Sequence, residues 1–206
     1  MIDKLENILK DNPFIERNGN FKIEEKAQDG ECELNINTDS KLYEISIKKT
    51  DMVNQLSDFF KKDTLTLICD GILIKLEKNE FNISLFEFKT TLGIRTLQKA
   101  LWQLEATYLK LIMFLILFEK IEKFKINLYI VYRNLPNIEL SKTSLIEREK
   151  ASQSDFSKLY SELTTKKFSK ISEFPFCSNY IQFVNEKLKK SNVEIKLLKC
   201  GDTLKI

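Results

Sequence analysis

The most regular hydrophobic pattern in the chain is a pair of apolar runs in its first half. The runs LTLICDGILIKLE (residues 65–77) and ISLFEFK (residues 83–89) are rich in apolar and β-branched residues, and the residues between them, from Lys78 to Glu80, are polar. Short apolar runs joined by a polar connection of this length are typical of β-hairpins. We predict two antiparallel strands here, at the centre of a sheet.

The next pattern has a helical period. From Gly93 to about Glu119, apolar residues recur every three or four positions, and the second half of this segment is apolar nearly all round. The run INLYIVYR (residues 126–133) then reads as a strand buried on both faces. A helix of this length between two strands permits parallel pairing, so the predicted order is strand, strand, helix, strand.

Weaker patterns flank this centre. We predict strands at FKIEE (residues 21–25) and in CELNINTDSKLYEISIKK (residues 32–49), where residues 37–40 form a turn between two antiparallel strands. The remaining predicted elements are helices at residues 1–10, 51–60, 154–163 and 179–190 and a final strand at residues 193–199. The chain is therefore predicted to be one α/β domain, residues 1–206, with a core at about 40–135 and further elements after it.

Composition narrows the chemistry more than it narrows the fold. The chain of 206 residues has no histidine, which excludes Ser-His-Asp and Cys-His hydrolases and histidine-ligated zinc sites. The formal net charge is only +3, so no strongly basic surface is indicated. Any catalysis must use carboxylates, lysine, tyrosine or a metal ion.

The same composition suggests a cytoplasmic protein without membrane contact. Four scattered cysteines show no CxxC spacing, and the first residues lack the apolar core of a signal peptide, so we expect reduced thiols. The longest apolar run, residues 111–118, has eight residues, whereas crossing a bilayer takes about 20. We interpret it as part of a buried helix.

Charged residues interrupt the two central strands. Asp70 lies within the first apolar run, and Glu87 and Lys89 alternate with Phe86 and Phe88 in the second. Because side chains alternate along a strand, Glu87 and Lys89 should share one face and the two phenylalanines the other.

These residue types suit metal-assisted hydrolysis of a phosphodiester. Two hard carboxylates, Asp70 and Glu87, could hold Mg²⁺ or Mn²⁺, and the main-chain carbonyl of Phe88 could add a ligand. Lys89 beside the ion would stabilise developing negative charge or help to orient a water.

An aspartate, a variable spacer and then Glu-x-Lys, followed by a helix and a strand, resembles the signature of the PD-(D/E)XK nuclease superfamily. The resemblance covers about residues 65–133. It implies a restriction-endonuclease-like core with a central mixed sheet flanked by helices. It also implies Asp70 and Glu87 as ligands of Mg²⁺ or Mn²⁺, Lys89 as a catalytic residue, and DNA as the usual substrate.

The chain departs from the pattern of the superfamily in three places. Cys69 stands where many relatives have proline. Many relatives also carry a glutamate on the helix before the sheet, for which Glu6 and Glu16 are both candidates. One branch has glutamine and tyrosine four residues apart on the later helix, whereas Gln103 and Tyr108 are five apart and should not share a face.

The long predicted helix also has a polar stripe, formed by Thr96, Lys99, Gln103, Thr107 and Lys110. It has two interpretations, a plain solvent-exposed face or a surface along a phosphate backbone, and Gln103 and Lys99 are the candidate substrate contacts. Trp102 is interpreted as a core residue rather than a platform for base stacking.

Two functions from different classes fit these observations. The first is a Mg²⁺-dependent deoxyribonuclease acting in restriction, antiphage defence or repair. It could work as a homodimer, alone, or as a subunit of a larger complex. The second is a catalytically inactive module of the same fold that binds a protein partner or nucleic acid. The sequence does not decide whether the substrate is DNA or RNA, whether the enzyme is an endonuclease or an exonuclease, or whether it is sequence-specific.

Overall fold

The computed structural model describes residues 14–27, 30–45, 68–77, 80–118, 123–136, 155–171 and 193–206. In the first half, the strands are β1 (Phe14–Ala27), β2 (Gly30–Ile45), β3 (Gly71–Glu77) and β4 (Glu80–Thr91). Helix α1 (Ile94–Phe118) and strand β5 (Lys123–Asn134) follow. The later elements are α2 (Asp155–Lys166), β6 (Phe168–Ile171), β7 (Val193–Lys199) and β8 (Thr203–Lys205).

Within these ranges, eight strands form one mixed sheet. The order is β1-β2-β3-β4-β5-β7-β6, and β8 pairs with β2 away from this path. The pairs from β1 to β4 are antiparallel, β4, β5 and β7 are parallel, and β6 returns antiparallel to β7. The predicted α/β class and the order strand, strand, helix, strand are confirmed, with β4 in the middle of the sheet.

The long helix and the buried strand follow the predicted pattern closely. α1 begins at Ile94, where the hydroxyl of Thr96 accepts a hydrogen bond from the main-chain N–H of Gly93 at 2.7 Å. β5 pairs in parallel with β4 along its length, from Glu80 opposite Lys123 to Thr91 opposite Asn134. No helix of the described residues has the length and apolarity needed to cross a membrane.

Two cores lie on opposite faces of the sheet. The helix-side core packs α1 against β3, β4 and β5. Its buried members include Ile72, Ile83, Leu85, Leu97, Leu101, Leu104, Ile126, Leu128 and Ile130. The hairpin-side core lies between the β1–β2 hairpin and the other face of the central strands. It comprises Ile23, Cys32, Leu34, Ile36, Leu42, Leu73, Phe86, Phe88, Tyr129 and Val131.

The turn predicted at residues 37–40 is wrong. β2 runs through these residues, and the hairpin closes instead between Ala27 and Gly30. The pairing shifts between Arg17 and Gly19, and Thr38 binds the main chain of Ser40 through its hydroxyl group. The polar residues therefore mark a bulge within a long strand, where side-chain hydrogen bonds satisfy the main chain much as they would in a turn.

The expectation of reduced thiols is wrong for one pair of cysteines. Cys32 on β2 and Cys200, just after β7, form a disulfide across 168 residues of sequence. Cys69 is a buried free thiol. The predicted helices at residues 1–10, 51–60 and 179–190 lie outside the described residues, whereas the predicted helix at residues 154–163 is confirmed as α2. Strands β6 and β8 were not predicted.

Candidate active site

The hairpin of β3 and β4 brings Asp70 and Glu87 together. Gly71 pairs with Phe86, and Asp70 and Glu87 are the residues next to this pair along the two chains. The main-chain N–H of Asp70 donates to the carbonyl of Phe86 at 2.9 Å. Its carboxylate oxygen Oδ2 accepts the N–H of Phe88 at 2.7 Å, so hydrogen bonds fix both its main chain and its side chain.

Glu87 and Lys89 share the helix-side face of β4, as predicted from the alternation along the strand, while Phe86 and Phe88 lie in the hairpin-side core. The ammonium group of Lys89 donates to Oε1 of Glu87 and, at 3.0 Å, to Oε1 of Gln103. Gln103 in turn donates to the main-chain carbonyl of Ile68 at 3.4 Å. α1 therefore holds Lys89 in place through an amide side chain.

A second polar residue of α1 anchors the segment before Asp70. Thr107 donates its hydroxyl proton to the carbonyl of Gln103 and accepts the N–H of Cys69, both at 2.7 Å. The thiol of Cys69 donates to the carbonyl of Gly71 at 3.3 Å, and burial raises the pKa of this thiol. These contacts give Cys69 a structural role in the segment before β3.

Burial makes this site electrostatically unusual. Glu87 is fully buried, and burial raises its pKa well above the ordinary value, with repulsion from Asp70 adding to the effect. Burial also raises the pKa of Asp70 to about 6, against the opposing effect of the hydrogen bond from Phe88. Attraction to Lys89 lowers both pKa values, but each stays above its ordinary value.

One carboxylate oxygen at the centre of the site has no hydrogen-bond partner. Oε2 of Glu87 is buried without a donor, whereas Oε1 accepts from Lys89. A proton held by one of the two neighbouring carboxyl groups, Asp70 or Glu87, would be shared with the other and would satisfy this oxygen. When both groups are ionised no proton lies between them, and a cation would satisfy the oxygen in its place.

The chemistry of this donor set fits a hard divalent cation. Asp70 and Glu87 supply two oxygen-donor groups in a poorly solvated place, and a positive ion would relieve the repulsion that raises their pKa values. Among the described residues, however, no three Asp, Glu or Cys side chains converge closely enough to hold an ion by themselves. Mg²⁺ commonly keeps several waters and takes only one or two carboxylates, so two protein carboxylates remain consistent with it.

The prediction that the polar stripe on α1 forms one exposed face is wrong. Thr107 and Lys110 are buried, and burial lowers the pKa of Lys110 to about 8. Thr96 caps the helix, and Gln103 binds Lys89. Lys99 is the one stripe residue that is exposed, and its predicted contact with substrate stays a prediction.

Two other expectations about single residues are also corrected. Trp102 is not a core residue, because 43% of it is exposed. Glu16 forms an ion pair with Lys41 at 2.5 Å, near the opposite end of β1 from the site, so it is a poor candidate for the additional carboxylate. Glu6 lies outside the described residues.

The sequence analysis missed two residues of this site. The spacing of Thr107 fits a polar stripe on the helix, but helical spacing alone does not show what packs against that face, and Thr107 is buried against Cys69. Glu25 on β1 contributes to the raised pKa values of both Asp70 and Glu87, so its charge lies near them. No local sequence signal places β1 next to Asp70.

Comparison with models of known protein families, with curated proteins and with solved structures gives no match to this chain.

Proposed function

We propose that the protein is a metal-dependent nuclease with a restriction-endonuclease-like core, hydrolysing phosphodiester bonds in DNA. The observation that carries the proposal is the buried oxygen Oε2 of Glu87, which lacks a partner beside Asp70 and Lys89. Burying an acidic group with an unsatisfied oxygen costs folding free energy, so a bound ion is the best physical reason for it.

The topology supports the fold part of the proposal. Strands β2, β3 and β4 form an antiparallel meander, and α1 then leads to β5, which is parallel to β4. This order of elements is the one that the resemblance implies, and the three signature residues lie on its central hairpin.

The residues divide the chemical work between them. Asp70, fixed by the N–H of Phe88, and Glu87 would hold Mg²⁺ or Mn²⁺, with the carbonyl of Phe88 as a further predicted ligand. When bound, the ion supplies a Lewis acid for the phosphoryl group and acidifies a water. Lys89, held between Glu87 and Gln103, would place its ammonium group where negative charge develops during hydrolysis.

Incubation of the purified protein with supercoiled plasmid and with linear single- and double-stranded DNA, in Mg²⁺, Mn²⁺ or EDTA, tests this proposal. We expect metal-dependent cleavage that falls by at least about 10³-fold in Asp70→Asn and Lys89→Ala, because these groups act on the reacting phosphate as one unit. Matched controls are Asp39→Asn and Lys205→Ala, which alter an exposed ion pair of the same residue types. Cleavage at the wild-type rate in Asp70→Asn and Lys89→Ala would refute the proposal.

A second candidate is a catalytically inactive module of the same fold that binds a protein or nucleic acid. The contact between Lys89 and Glu87 favours it, because this ion pair neutralises one carboxylate without any metal. Calorimetry with Mn²⁺ separates the two candidates. An inactive module should show no binding that depends on Asp70 and Glu87, whereas the nuclease should lose binding in Asp70→Asn.

A further inference from the structure

Three parallel strands place a row of side chains beside the candidate active site. Lys89 on β4 pairs with Tyr132 on β5, and Tyr132 pairs in turn with Lys199 on β7. Tyr132 lies in the helix-side core, and Lys199 faces the same side because it follows Leu197, a member of that core, by two residues. The row therefore starts at Lys89 and runs for about 10 Å across the carboxyl ends of the three strands.

A further lysine reaches the same tyrosine from the end of α2. The ammonium group of Lys167 donates to the hydroxyl group of Tyr132 at 2.8 Å and lies 4.9 Å from the centre of its ring. The main chain of Lys167 is fixed on both sides. Its N–H donates to the carbonyl of Leu163 at 2.8 Å, and its carbonyl accepts the N–H of Leu197 at 2.9 Å. Lys167 is therefore held beside the row through both its main chain and its side chain.

The main-chain conformation of Lys167 indicates that its side chain has a role. Lys167 directly follows the last residue of α2 and has a φ of 59°, and it is the one described residue other than glycine with a positive φ. Glycine is favoured at this position after a helix, because a Cβ atom is strained in the left-handed conformation. A lysine here is best explained by what its ammonium group binds.

The charges of Lys167 and Lys199 differ from those of nearby lysines in having no acidic partner. Lys166 and Lys196 form ion pairs with glutamates at 3.2 and 3.6 Å. Within the described ranges, the ammonium groups of Lys167 and Lys199 form no ion pair, and the carboxylate of Asp202 binds the main-chain N–H of Lys199 instead. Both side chains are exposed to solvent. Their charges are therefore open to an anion from outside the described chain.

We propose that Lys167 and Lys199 bind the phosphate backbone of DNA and hold the strand to be cut across β5 and β7, with its scissile phosphate at Lys89. This inference deepens the proposed function, because it names where the substrate lies, and it rests on that function for the choice of DNA as the ligand. Ammonium groups bind phosphate oxygens whatever the base sequence. The two lysines contact flanking phosphates and take no part in the hydrolysis itself.

Fluorescence anisotropy of a short labelled DNA duplex in EDTA tests this inference, because binding is then measured without metal-dependent cleavage. We expect Lys167→Gly and Lys199→Ala each to weaken binding by about 5-fold at physiological salt, and to reduce the slope of log affinity against log salt by about 1. Because glycine is favoured at position 167, Lys167→Gly should not lower the thermal unfolding temperature.

Two neighbouring lysines provide matched controls. Lys166→Ala changes the residue next to Lys167, and Lys196→Ala changes a lysine on the opposite face of β7 from Lys199. Each removes one positive charge, as the test variants do, and each should bind the duplex as the wild type does.

The outcomes separate this inference from the proposed function. If the wild type cleaves DNA in Mg²⁺ while Lys167→Gly and Lys199→Ala bind the duplex as the wild type does, the role of the two lysines is refuted and the nuclease proposal stands. If these variants weaken binding but the wild type cleaves no DNA in Mg²⁺ or Mn²⁺, the DNA contact stands and the nuclease proposal is refuted.

Three other results would overturn the inference. A wild type that does not bind the duplex is the first. Equal weakening in Lys166→Ala and Lys196→Ala is the second, since it would show a general charge effect. Weaker binding together with a lower unfolding temperature in Lys167→Gly is the third, because the contact of Lys167 with Tyr132 would then serve the fold.

Discussion

The two faces of the central sheet differ in what they bury. On the hairpin side, Phe86 and Phe88 pack into an apolar core, and Phe86 stacks on Tyr129 with ring centroids 4.8 Å apart. On the helix side, β4 presents Glu87 and Lys89 to α1. The described residues that are both charged and buried are Glu87 on this face and Glu105 and Lys110 on α1 itself.

Under the proposed function, this difference separates stability from catalysis in a single strand. Removing a carboxylate from water costs several kcal/mol unless pairing compensates, and only one oxygen of Glu87 is paired. The neighbouring residues on β4 show that the same strand supports an ordinary apolar core on its other face. The helix-side charges are therefore better explained by a site than by the needs of the fold.

The first prediction compares adjacent residues on the two faces. Phe86→Ala should lower the free energy of unfolding by about 3–5 kcal/mol, since it leaves a cavity beside Tyr129. Glu87→Gln should change it by less than about 1 kcal/mol, because losing a buried charge offsets losing the bond to Lys89. Urea unfolding monitored by circular dichroism measures both. If Glu87→Gln lowered the free energy of unfolding as much as Phe86→Ala does, the charged residues of β4 would be needed for stability.

The second prediction concerns the disulfide between Cys32 and Cys200 on the hairpin side. Replacing Cys32 and Cys200 with serine should cost about 2–5 kcal/mol of stability, because the disulfide closes a loop of 168 residues in the unfolded chain. Thermal unfolding of the double variant, beside the reduced and oxidised wild type, measures the loss. The reduced wild type should resemble the double variant, and Cys69→Ser serves as the control for a cysteine without a disulfide partner. No difference between the oxidised and reduced protein would contradict this prediction.

The sequence predicted the helix side much better than the hairpin side. The helix side is built from consecutive elements, so the periods of β3, β4, α1 and β5 gave their pairing and placed Asp70, Glu87 and Lys89 together. The hairpin side depends on contacts between residues distant in sequence. The pairing of Cys32 with Cys200 and the parallel contact of β2 with β8 leave no local pattern.

The same reasoning explains the errors at single residues. The polar residues of β2 resemble a turn because bulges and turns use the same side-chain hydrogen bonds, as Thr38 shows. Thr107 and Lys110 have the spacing of a solvent face, but α1 is covered there by other parts of the protein. The effect of Glu25 on the pKa values of Asp70 and Glu87 was not predicted, because β1 comes close to Gly71 only in the folded chain.

The third prediction is a pH-dependent gain in stability for Asp70→Asn. The pKa of Asp70 is raised from 3.8 to about 6 in the folded protein, so its contribution to stability is fully present below about pH 4 and lost as the pH rises through 6. An asparagine does not titrate. In EDTA, the stability of Asp70→Asn relative to the wild type should therefore rise between pH 4 and pH 7.

The size of that gain follows from the two pKa values. Their difference corresponds to about 3 kcal/mol at most, and we expect a change of about 1–3 kcal/mol. Urea unfolding of both proteins across this pH range measures it, and Asp39→Asn, which alters an exposed carboxylate, is the control. A difference in stability that is constant with pH would show that Asp70 titrates normally in the folded protein.

The fourth prediction has the smallest expected effect and concerns how the helix acts on the strand. Gln103→Leu removes the hydrogen bonds that Gln103 makes to Lys89 and to the carbonyl of Ile68, but it leaves the contact between Lys89 and Glu87. In the proposed site Gln103 would position Lys89 and would not be a ligand of the ion. Cleavage should therefore fall by about 10-fold, equivalent to about 1.4 kcal/mol of barrier, with unchanged Mn²⁺ affinity.

The separation of rate from metal affinity is what distinguishes positioning from binding. Gln98→Leu is the matched control on the same helix, and it should affect neither quantity. If Gln103→Leu weakened Mn²⁺ binding as much as Asp70→Asn does, Gln103 would belong to the ion site, and if the rate were unchanged, the contact with Glu87 would suffice to place Lys89. Only a lower rate at constant Mn²⁺ affinity fits a lysine that the helix holds in position for catalysis.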